Sequence, residues 1–246
     1  MSIYTTEQNK WNFEKDIIEN FWNKCRNIFI EDNISKIPKA QNKRVLDVGC
    51  GVGVVSKYLN EKGYDCWGCE PSILQYTLLE EKFFNCEFGK LPEEFKKTVE
   101  IIILADVIEH IEDDLNFLTN LLQQFPNCLN ILITVPAYKV LWHDNDITAK
   151  HYRRYNKRNL ISTLQDASIN NRQINKITIR DLFFSLSILI LISNLLKKIG
   201  VGTKKSNIRK RSKLDILLYL ISTLEYKLKI PFGSSLIAIV SLKLNE

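Results

Sequence analysis

The chain reads Val45-Leu46-Asp47-Val48-Gly49-Cys50-Gly51-Val52-Gly53 where an apolar strand gives way to a helix. Three glycines at alternate positions let the backbone turn tightly and let a ligand lie against bare main chain. Gly53 comes one position earlier than the third glycine of the dinucleotide pattern G-x-G-x-x-G, and no G-K-[ST] of a P-loop follows. Asp47 before the glycines favours a ligand with a positively charged amine over a phosphate.

A second acid completes a candidate cofactor site. Residues 64–69 predict the next strand, and Glu70 follows at its tip, 21 residues after Gly49. A carboxylate about 20 residues beyond such glycines binds the ribose diol in Rossmann-like folds. The segment therefore resembles the cofactor site of class I methyltransferases that use S-adenosylmethionine (SAM). The resemblance implies SAM as the cofactor, bound by Asp47, Gly49, Cys50, Gly51, Gly53, Glu70 and Pro71.

Strand and helix patterns alternate from residue 44 onward. Strands are predicted near 44–49, 65–70, 84–88, 99–105, 129–135 and 172–180, and helices near 53–62, 72–82, 91–97, 112–125 and 157–168. Repeated βα units predict an α/β, Rossmann-like, doubly wound sheet with ligands at the carboxyl ends of its strands. The family resemblance implies seven strands, the last over 235–242 and antiparallel. The predicted organisation is an N-terminal helical cap (1–42), a SAM-binding core (43–181), a helical insertion (182–231) and the final core strand (232–246).

Two later segments extend the resemblance. Residues 105–111, Ala-Asp-Val-Ile-Glu-His-Ile, are similar to the segment D-V-L-E-H-I that lines the methyl-donor pocket, which implies cofactor contacts for Asp106, Val107 and His110. His110 either faces the sulfonium or fixes the loop by hydrogen bonding. Lys90 stands where the family usually has an acid beside the adenine. The backbone near Lys90 and Leu91 is therefore expected to hold the adenine.

The block after the fifth strand carries the candidate acceptor chemistry. Residues 135–155 resemble the segments V-P-A-x-x-x-L-W-S-x-x-D and H-x-R-R-Y of methyltransferases found in gene sets for bacterial surface polysaccharides and glycolipids. Methyl transfer to oxygen needs a base near neutral pH, which favours histidine. His151 and then His143 are the catalytic candidates, with a structural role as the alternative for each. The predicted substrate contacts are Tyr138, Asp144, Arg153, Arg154 and Tyr155.

Several of these residues have a second interpretation. Arg153 and Arg154 can clamp a phosphate or carboxylate of the acceptor, or one of them can pair with Asp144 or Asp146 at a solvated helix start. His143, Asp144 and Asp146 can form a metal site, but clustered polar residues on one loop are more often turn formers. The turn interpretation is favoured, so no metal ligand is assigned.

Composition places the chain among folded globular proteins. Its 246 residues are 45% hydrophobic and 25% charged, enough for one α/β domain with additions. Residues 1–15 are polar and mixed in charge, unlike a signal peptide. Six cysteines are expected as buried reduced thiols, and the pair Cys66 and Cys69 lacks the second pair of a zinc site. These features predict a cytoplasmic protein, with the inner face of the membrane as an alternative location.

The positive charge is concentrated in the insertion. The net charge is +6, and removing the eight cations of residues 197–213 leaves −2. An almost uniformly apolar segment, 182–196, precedes this basic loop, and a second helix is predicted over 214–228. A spanning helix needs about 20 apolar residues. The insertion at 182–228 is therefore expected to lie on a membrane, to form a homodimer interface or to pack in the core.

The predicted function is SAM-dependent methyl transfer, O-directed, to a sugar, phosphosugar or lipid-linked glycan precursor. One alternative is a methyltransferase of a small hydrophobic metabolite such as a quinone precursor. Others are a nucleic-acid methyltransferase and a SAM-binding protein without activity. No aromatic residue interleaves the cations of the basic loop to stack on bases. No nucleic-acid partner is therefore predicted.

Overall fold

The computed structural model describes residues 17–74, 76–168, 173–200 and 213–243, which contain one seven-stranded sheet. Its strands are β1 (Arg44–Val48), β2 (Asp65–Cys69), β3 (Phe83–Phe84), β4 (Val99–Ala105), β5 (Asn130–Pro136), β6 (Ile174–Leu182) and β7 (Ser235–Leu242). Their order is β3-β2-β1-β4-β5-β7-β6, with β7 antiparallel to both neighbours. The Rossmann-like sheet and its antiparallel last strand are confirmed.

Helices cover both faces of the sheet. They are α1 (Phe21–Ile34), α2 (Val54–Glu61), α3 (Glu93–Lys96), α4 (Asp114–Gln124), α5 (Asp144–Thr148), α6 (Lys157–Ser168), α7 (Phe184–Lys198) and α8 (Lys213–Leu228). Side chains of a strand alternate between its two faces. Ile102 therefore joins one buried cluster with Leu121 of α4, whereas Ile101 joins the other with Phe29 of α1. The sheet is the middle of three layers.

The segment after Glu70 differs from the prediction. A helix was expected over 72–82, but the described residues of this segment form a loop. Leu79 fills the space beside Gly53 and Gly68, where an added Cβ would come within 2.5 Å of its side chain. The N–H of Leu78 also donates to the carbonyl of Val52, at 2.8 Å. These contacts hold the backbone against the glycine loop on an irregular path.

Two neighbouring elements are shorter than predicted. The strand expected over 84–88 is reduced to β3, and Phe88–Lys90 forms a 3-10 turn instead. The helix expected over 91–97 is the single turn α3. Trp67, Phe84 and Phe95 pack together here, with ring centroids 4.9 to 5.5 Å apart. Packing of large rings at the sheet edge thus replaces regular secondary structure.

The N-terminal segment contains α1, which begins at Phe21, where the side chain of Asn20 accepts a hydrogen bond from the N–H of Trp22. Residues 17–19, just before it, are also helical. Residues 1–16 lie outside the described residues. The helix packs against α2 and α8 in one layer. Its Arg26 side chain reaches the carboxyl end of β4.

The insertion contains the two expected helices, α7 and α8, between β6 and β7. Most of the basic loop, residues 201–212, falls outside the described part of the chain. Leu195 of α7 and Leu220 of α8 are 61% and 58% exposed, and they are two among many exposed apolar residues on this helix pair. Within the residues that the structure describes, no helix has the length and apolar character needed to span a bilayer.

The cysteines agree with the prediction of reduced thiols. All six are unpaired, and Cys66 and Cys69 are buried on β2. Cys66 belongs to one core cluster and Cys69 to the cluster on the opposite face of the sheet. Burial raises the pKa of both thiols well above the usual range. The pair is therefore packing and not a redox or zinc site.

Candidate active site

The glycine loop connects β1 to α2 at the carboxyl edge of the sheet. Gly49, Gly51 and Gly53 have φ values of 72°, 55° and 90°, in the left-handed region that favours glycine. An added Cβ on Gly51 would meet no atom within 4 Å, so space is open above this peptide. The loop has the bare backbone that a closely approaching ligand requires.

Glu70 holds the glycine loop in place. One carboxylate oxygen accepts from the N–H of Gly51 at 3.1 Å, and the other accepts from the N–H of Ser72 at 2.9 Å. Each carboxylate oxygen has two lone pairs, so Glu70 keeps acceptor capacity for a diol. The side chain of Asn85, which the sequence interpretation did not single out, donates to the carbonyls of Glu70 and Ser72. These contacts fit the predicted ribose site.

Asp47 is a buried carboxylate with an unused oxygen. Its Oδ2 accepts from the hydroxyl of Ser56 at 2.7 Å, whereas its Oδ1 has no partner among the described residues. Burial raises the pKa of Asp47 to about 6, against the lowering effect of the Ser56 hydrogen bond. A donor group from a ligand would compensate for this burial, as expected for the SAM amine. Cys50 and Pro71 flank the same loop and are half-buried and exposed, respectively.

The predicted adenine contacts find less support. The N–H of Lys90 donates to the carbonyl of Glu87 and that of Leu91 to the carbonyl of Phe88, which closes a 3-10 turn. Both backbone donors are therefore used within the protein. The Leu91 side chain is buried in the core, and Lys90 is exposed. Contact of the adenine with the backbone near Lys90 and Leu91 stays a prediction.

The loop after β4 lies against the glycine loop. Val107 packs on Gly49, where an added Cβ would be 2.9 Å from its side chain. Asp106 has a φ of 59°, rare for a residue other than glycine, and both of its oxygens are engaged. Arg26 of α1 donates to one at 2.7 Å, and Thr134 of β5 donates to the other at 3.0 Å. Asp106 thus fixes the loop between the predicted cofactor and acceptor sides.

Asp146 organises the predicted catalytic residues. Its side chain is fully buried, and its oxygens lie 2.7 Å from Nδ1 of His143, 2.9 Å from Nδ1 of His151 and 2.8 Å from Nε of Arg154. We call these four residues the Asp146 cluster. Burial raises the pKa of Asp146, but hydrogen bonds from His143, His151 and Arg154 outweigh it and hold the pKa far below its usual range. Asp146 is therefore an anion that orients both rings.

The Asp146 cluster opens into a cavity of about 470 Å³. Asp106 and Glu109 line it on the side of β4, and Leu186 and Ile190 line it from α7. The cavity thus brings the predicted catalytic histidines close to the loop that follows β4. Glu109, which the sequence interpretation assigned no role, is 1% exposed, and burial raises its pKa well above the usual range.

Several predicted acceptor residues have protein partners instead. Tyr155 is 2% exposed, and its hydroxyl donates to Asp114 at 2.5 Å. Arg153 pairs with the same carboxylate at 2.7 Å and also donates to the carbonyl of Glu112. The Tyr138 hydroxyl donates to Asp181 at 2.6 Å. These three residues hold the loop after β5 on the core, and the structure does not place them in the cavity.

The turn interpretation of the block 143–146 is supported. The N–H and Nδ1 of His143 both lie against Asp146, which forms a capping box at the start of α5. Asp144 is exposed and pairs with Lys197 of α7 at 2.6 Å. Arg154 pairs with Asp146, as the second interpretation of the arginines expected. It also donates to the carbonyl of Ala137, so its guanidinium is already bound within the protein.

His110 faces the Asp146 cluster from the loop after β4. Its ring lies edge-on to the ring of His151, with centroids 4.7 Å apart. Burial and the neighbouring His151 lower the pKa of His110, so the ring is neutral near neutral pH. A neutral ring keeps one nitrogen with a free lone pair.

Comparison with known proteins identifies the family. A family model described as a methyltransferase domain matches residues 22–174, more than half of the chain. The chain belongs to this methyltransferase family. The cofactor of the family is SAM, in agreement with the geometry around Asp47 and Glu70.

Three individual proteins that are similar to this chain share 31% sequence identity or less with it over the aligned residues. The ubiquinone biosynthesis O-methyltransferase of Rickettsia canadensis is 31% identical over 150 residues, which cover 52% of this chain and 62% of the relative. A SAM-dependent methyltransferase of Thermotoga maritima, described as a possible histamine N-methyltransferase, has a TM-score of 0.56 at 10% identity and covers 96% of both chains. The plantazolicin methyltransferase BamL has a TM-score of 0.55 at 15% identity, covering 98% of this chain and 92% of BamL. Both structural neighbours show the fold alone.

Replacing Glu70 with alanine is expected to weaken binding of SAM and S-adenosylhomocysteine by roughly 1.5–3 kcal/mol, the value of hydrogen bonds to a charged group. The glycine loop also loses its anchor at Gly51. Calorimetric titration measures the effect, with exposed Glu87→Ala as the matched control. Affinity for NAD equal to that for SAM would contradict the cofactor assignment.

Asp47→Asn is expected to stabilise the ligand-free protein at neutral pH. The pKa of Asp47 is about 6 in the folded state and about 3.9 when unfolded. Between these values the unfolded state loses its proton first, so ionisation lowers the free energy of unfolding as pH rises. The variant should gain roughly 1–3 kcal/mol at pH 7 and almost nothing near pH 4. Urea unfolding at both pH values tests this, and an equal difference at both would contradict it.

Proposed function

We propose that this methyltransferase transfers a methyl group to a hydroxyl oxygen of a small acceptor that carries an apolar part. The observation that carries the proposal is the cavity of the Asp146 cluster, which has polar groups on one side and Leu186 and Ile190 of α7 on the other. An acceptor with a hydroxyl and an apolar tail complements both sides. When bound, SAM supplies a methyl group on a positively charged sulfur.

His151 is the group that we assign to the acceptor hydroxyl. Its Nδ1 is bound to Asp146, which leaves Nε2 as the second ring nitrogen, and the ring lines the cavity. A carboxylate behind the ring fixes its orientation and stabilises its protonated form. Proton removal from the hydroxyl during attack is the task that a positioned histidine performs. His143 lies on the other oxygen of Asp146 and is the second candidate.

A hydroxylated ring with an apolar tail, of the kind that a quinone precursor offers, is the acceptor class that we favour. The relatives named above as ubiquinone biosynthesis O-methyltransferases support it, although the chain spans only about three fifths of the length of the first of them. The second candidate acceptor is a lipid-linked sugar, which the family resemblance of the residues after β5 implies. A phosphate clamp by Arg153 and Arg154 has little support, because both guanidinium groups are bound to protein oxygens.

Acceptor profiling with labelled SAM tests the proposal. Phenolic acceptors with and without a prenyl tail are compared with sugars, nucleotide sugars and a lipid-linked sugar. We expect label on a hydroxyl oxygen and a lower KM for the acceptors with a tail. Transfer to an amine, or no preference for the tail, would contradict the proposal. Transfer only to the lipid-linked sugar would select the second candidate.

The exposed apolar residues of α7 and α8 support contact with an anionic membrane. Ile192 and Leu195 of α7 are 49% and 61% exposed, and Lys197 and Lys198 follow them on the same helix. A helix with an apolar face and cations lies in the plane of a membrane surface. Such a location would bring acceptors with apolar tails to the cavity. A homodimer through the same face is the alternative.

Flotation with liposomes tests the membrane contact. We expect binding to anionic vesicles at low salt, weaker binding at high salt, and loss of binding in Ile192→Glu/Leu195→Glu. Leu115→Glu on α4, 41% exposed in the wild type, is the matched control and should bind normally. If the protein does not bind anionic vesicles and has the mass of a dimer in solution, the exposed face of α7 and α8 is a dimer interface instead.

A further inference from the structure

Glu109 is a buried carboxylate with one oxygen that has no hydrogen-bond partner. It is 1% exposed, and its Oε2 contacts no donor within the described parts of the chain. A buried carboxylate is costly unless a cation or several donors compensate for the lost water. Arg26, the cation of this region, is paired with Asp106 at 2.7 Å. The cavity therefore contains an acidic group whose ionised form a bound cation would stabilise.

Two histidines stand beside this carboxylate. Ligand atoms of Glu109, His110 and His151 all lie within 4.8 Å of one another, close enough for one metal ion to contact all three. The Nδ1 of His151 is bound to Asp146 at 2.9 Å, which leaves Nε2 to the ion. A carboxylate bound to the far nitrogen of a histidine is the outer partner that metal-binding histidines usually have. His151 is thus already oriented as a ligand.

The geometry points to a binding site for a first-row divalent cation, such as Zn²⁺ or Mn²⁺, formed by Glu109, His110 and His151. Two imidazole nitrogens and one carboxylate favour these ions over Mg²⁺ and Ca²⁺, which prefer oxygen alone. Glu109 and His151 also line the cavity, so a further coordination position would face the acceptor. This site rests on the proposed function for its role and changes the part that His151 plays in it. With the ion bound, Nε2 of His151 is a ligand, and His143 is the ring that remains to take the proton of the acceptor hydroxyl. A cation there would bind the acceptor hydroxyl and lower its pKa.

This set of ligands differs from the one considered on sequence grounds. His143, Asp144 and Asp146 are engaged in the capping box and the contact with Lys197. The carboxylate that the structure adds, Glu109, comes from the loop after β4, and His151 comes from the loop after β5. The two loops meet only because β4 and β5 are neighbours in the sheet.

Cobalt titration tests the site without cofactor or acceptor. The full chain is stripped with a chelator and titrated with Co²⁺, followed by visible absorption, and Zn²⁺ is then added in competition. We expect one bound ion per chain and an affinity at least 10–100-fold lower in Glu109→Gln and in His110→Ala, since even outer partners of metal ligands have effects of about this size. Glu112→Gln, an exposed neighbour, is the control and should bind like the wild type.

Thermal unfolding shows whether the variants are folded. Zn²⁺ should raise the Tm of the wild type and of Glu112→Gln but not that of Glu109→Gln, which should be folded without metal. No Co²⁺ binding by the wild type, or equal affinity in Glu109→Gln, would overturn the inference. Methyl transfer that persists in chelator would leave the proposed function intact and would also overturn the inference. A chain that binds Co²⁺ but methylates no hydroxyl would support the site and refute the proposed function.

Discussion

Replacing His151 with alanine is expected to lower turnover by roughly 10²–10⁴-fold, the range for loss of a positioned acid or base. The ring lines the cavity, and its Nε2 is the nitrogen not bound to Asp146. The predicted cofactor contacts, Asp47 and Glu70, belong to other loops. SAM affinity should therefore change little. Single-turnover kinetics with a responsive acceptor, together with calorimetry for SAM, measure both quantities.

His143→Ala is the comparison for His151. Its ring contacts the same carboxylate and lines the same cavity, but it forms the capping box of α5. We expect a smaller loss of turnover in His143→Ala than in His151→Ala. Unchanged turnover in His151→Ala would transfer the catalytic assignment to His143. If His151→Ala lowered SAM affinity and turnover to the same extent, the loop after β5 would instead position the cofactor.

Replacing Asp146 with alanine is expected to cost roughly 3–5 kcal/mol of the free energy of unfolding, as for other buried ion pairs that lose one partner. The Arg154 side chain is only 4% exposed, so its charge would be left buried without a carboxylate. Both histidines would lose the oxygen that orients them, and turnover should fall as well. Urea unfolding and activity of the folded variant measure the two effects.

Asp144→Ala is the control, two residues away on the same helix. Asp144 is exposed and pairs with Lys197 at the surface, where such a pair contributes at most about 1 kcal/mol. Asp146→Asn keeps an acceptor oxygen and should lie between the two variants. Equal destabilisation by Asp144→Ala and Asp146→Ala would show that the buried pairing with Arg154 is not what stabilises this loop.

Local patterns predicted the sheet and the cofactor loop. The apolar runs predict the buried strands β4 and β5, and the glycines after β1 predict a tight turn. Both patterns involve residues that are close together in the sequence, so they can be recognised without the folded structure. The loop at 72–82 could not be predicted in this way. Its apolar residues are spaced as in a helix, but Leu79 fits against Gly53 and Gly68, and only the folded chain brings these glycines to it.

The candidate site was predicted in part for the same reason. His143 and His151 were found because they stand on one loop with a recognisable motif. Their common partner, Asp146, was seen as a turn former, and its role as a buried anion depends on Arg154 folding over it. Glu109 belongs to the motif at 105–111, but the sequence assigned it no role. Its burial and its distance from His151 depend on two loops that are far apart in the sequence.

The insertion leaves the sheet at Leu182 and returns at Ser235, and these two residues are partners across β6 and β7. Gly233 lies directly on the backbone of Leu182, so the two ends of the excursion meet at one point. Lengthening or exchanging a segment whose ends already meet adds little closure entropy. Evolution can therefore exchange the insertion, whose helix α7 lines one side of the cavity, while the sheet stays unchanged. Relatives that share this core can then differ widely in the molecules that they methylate.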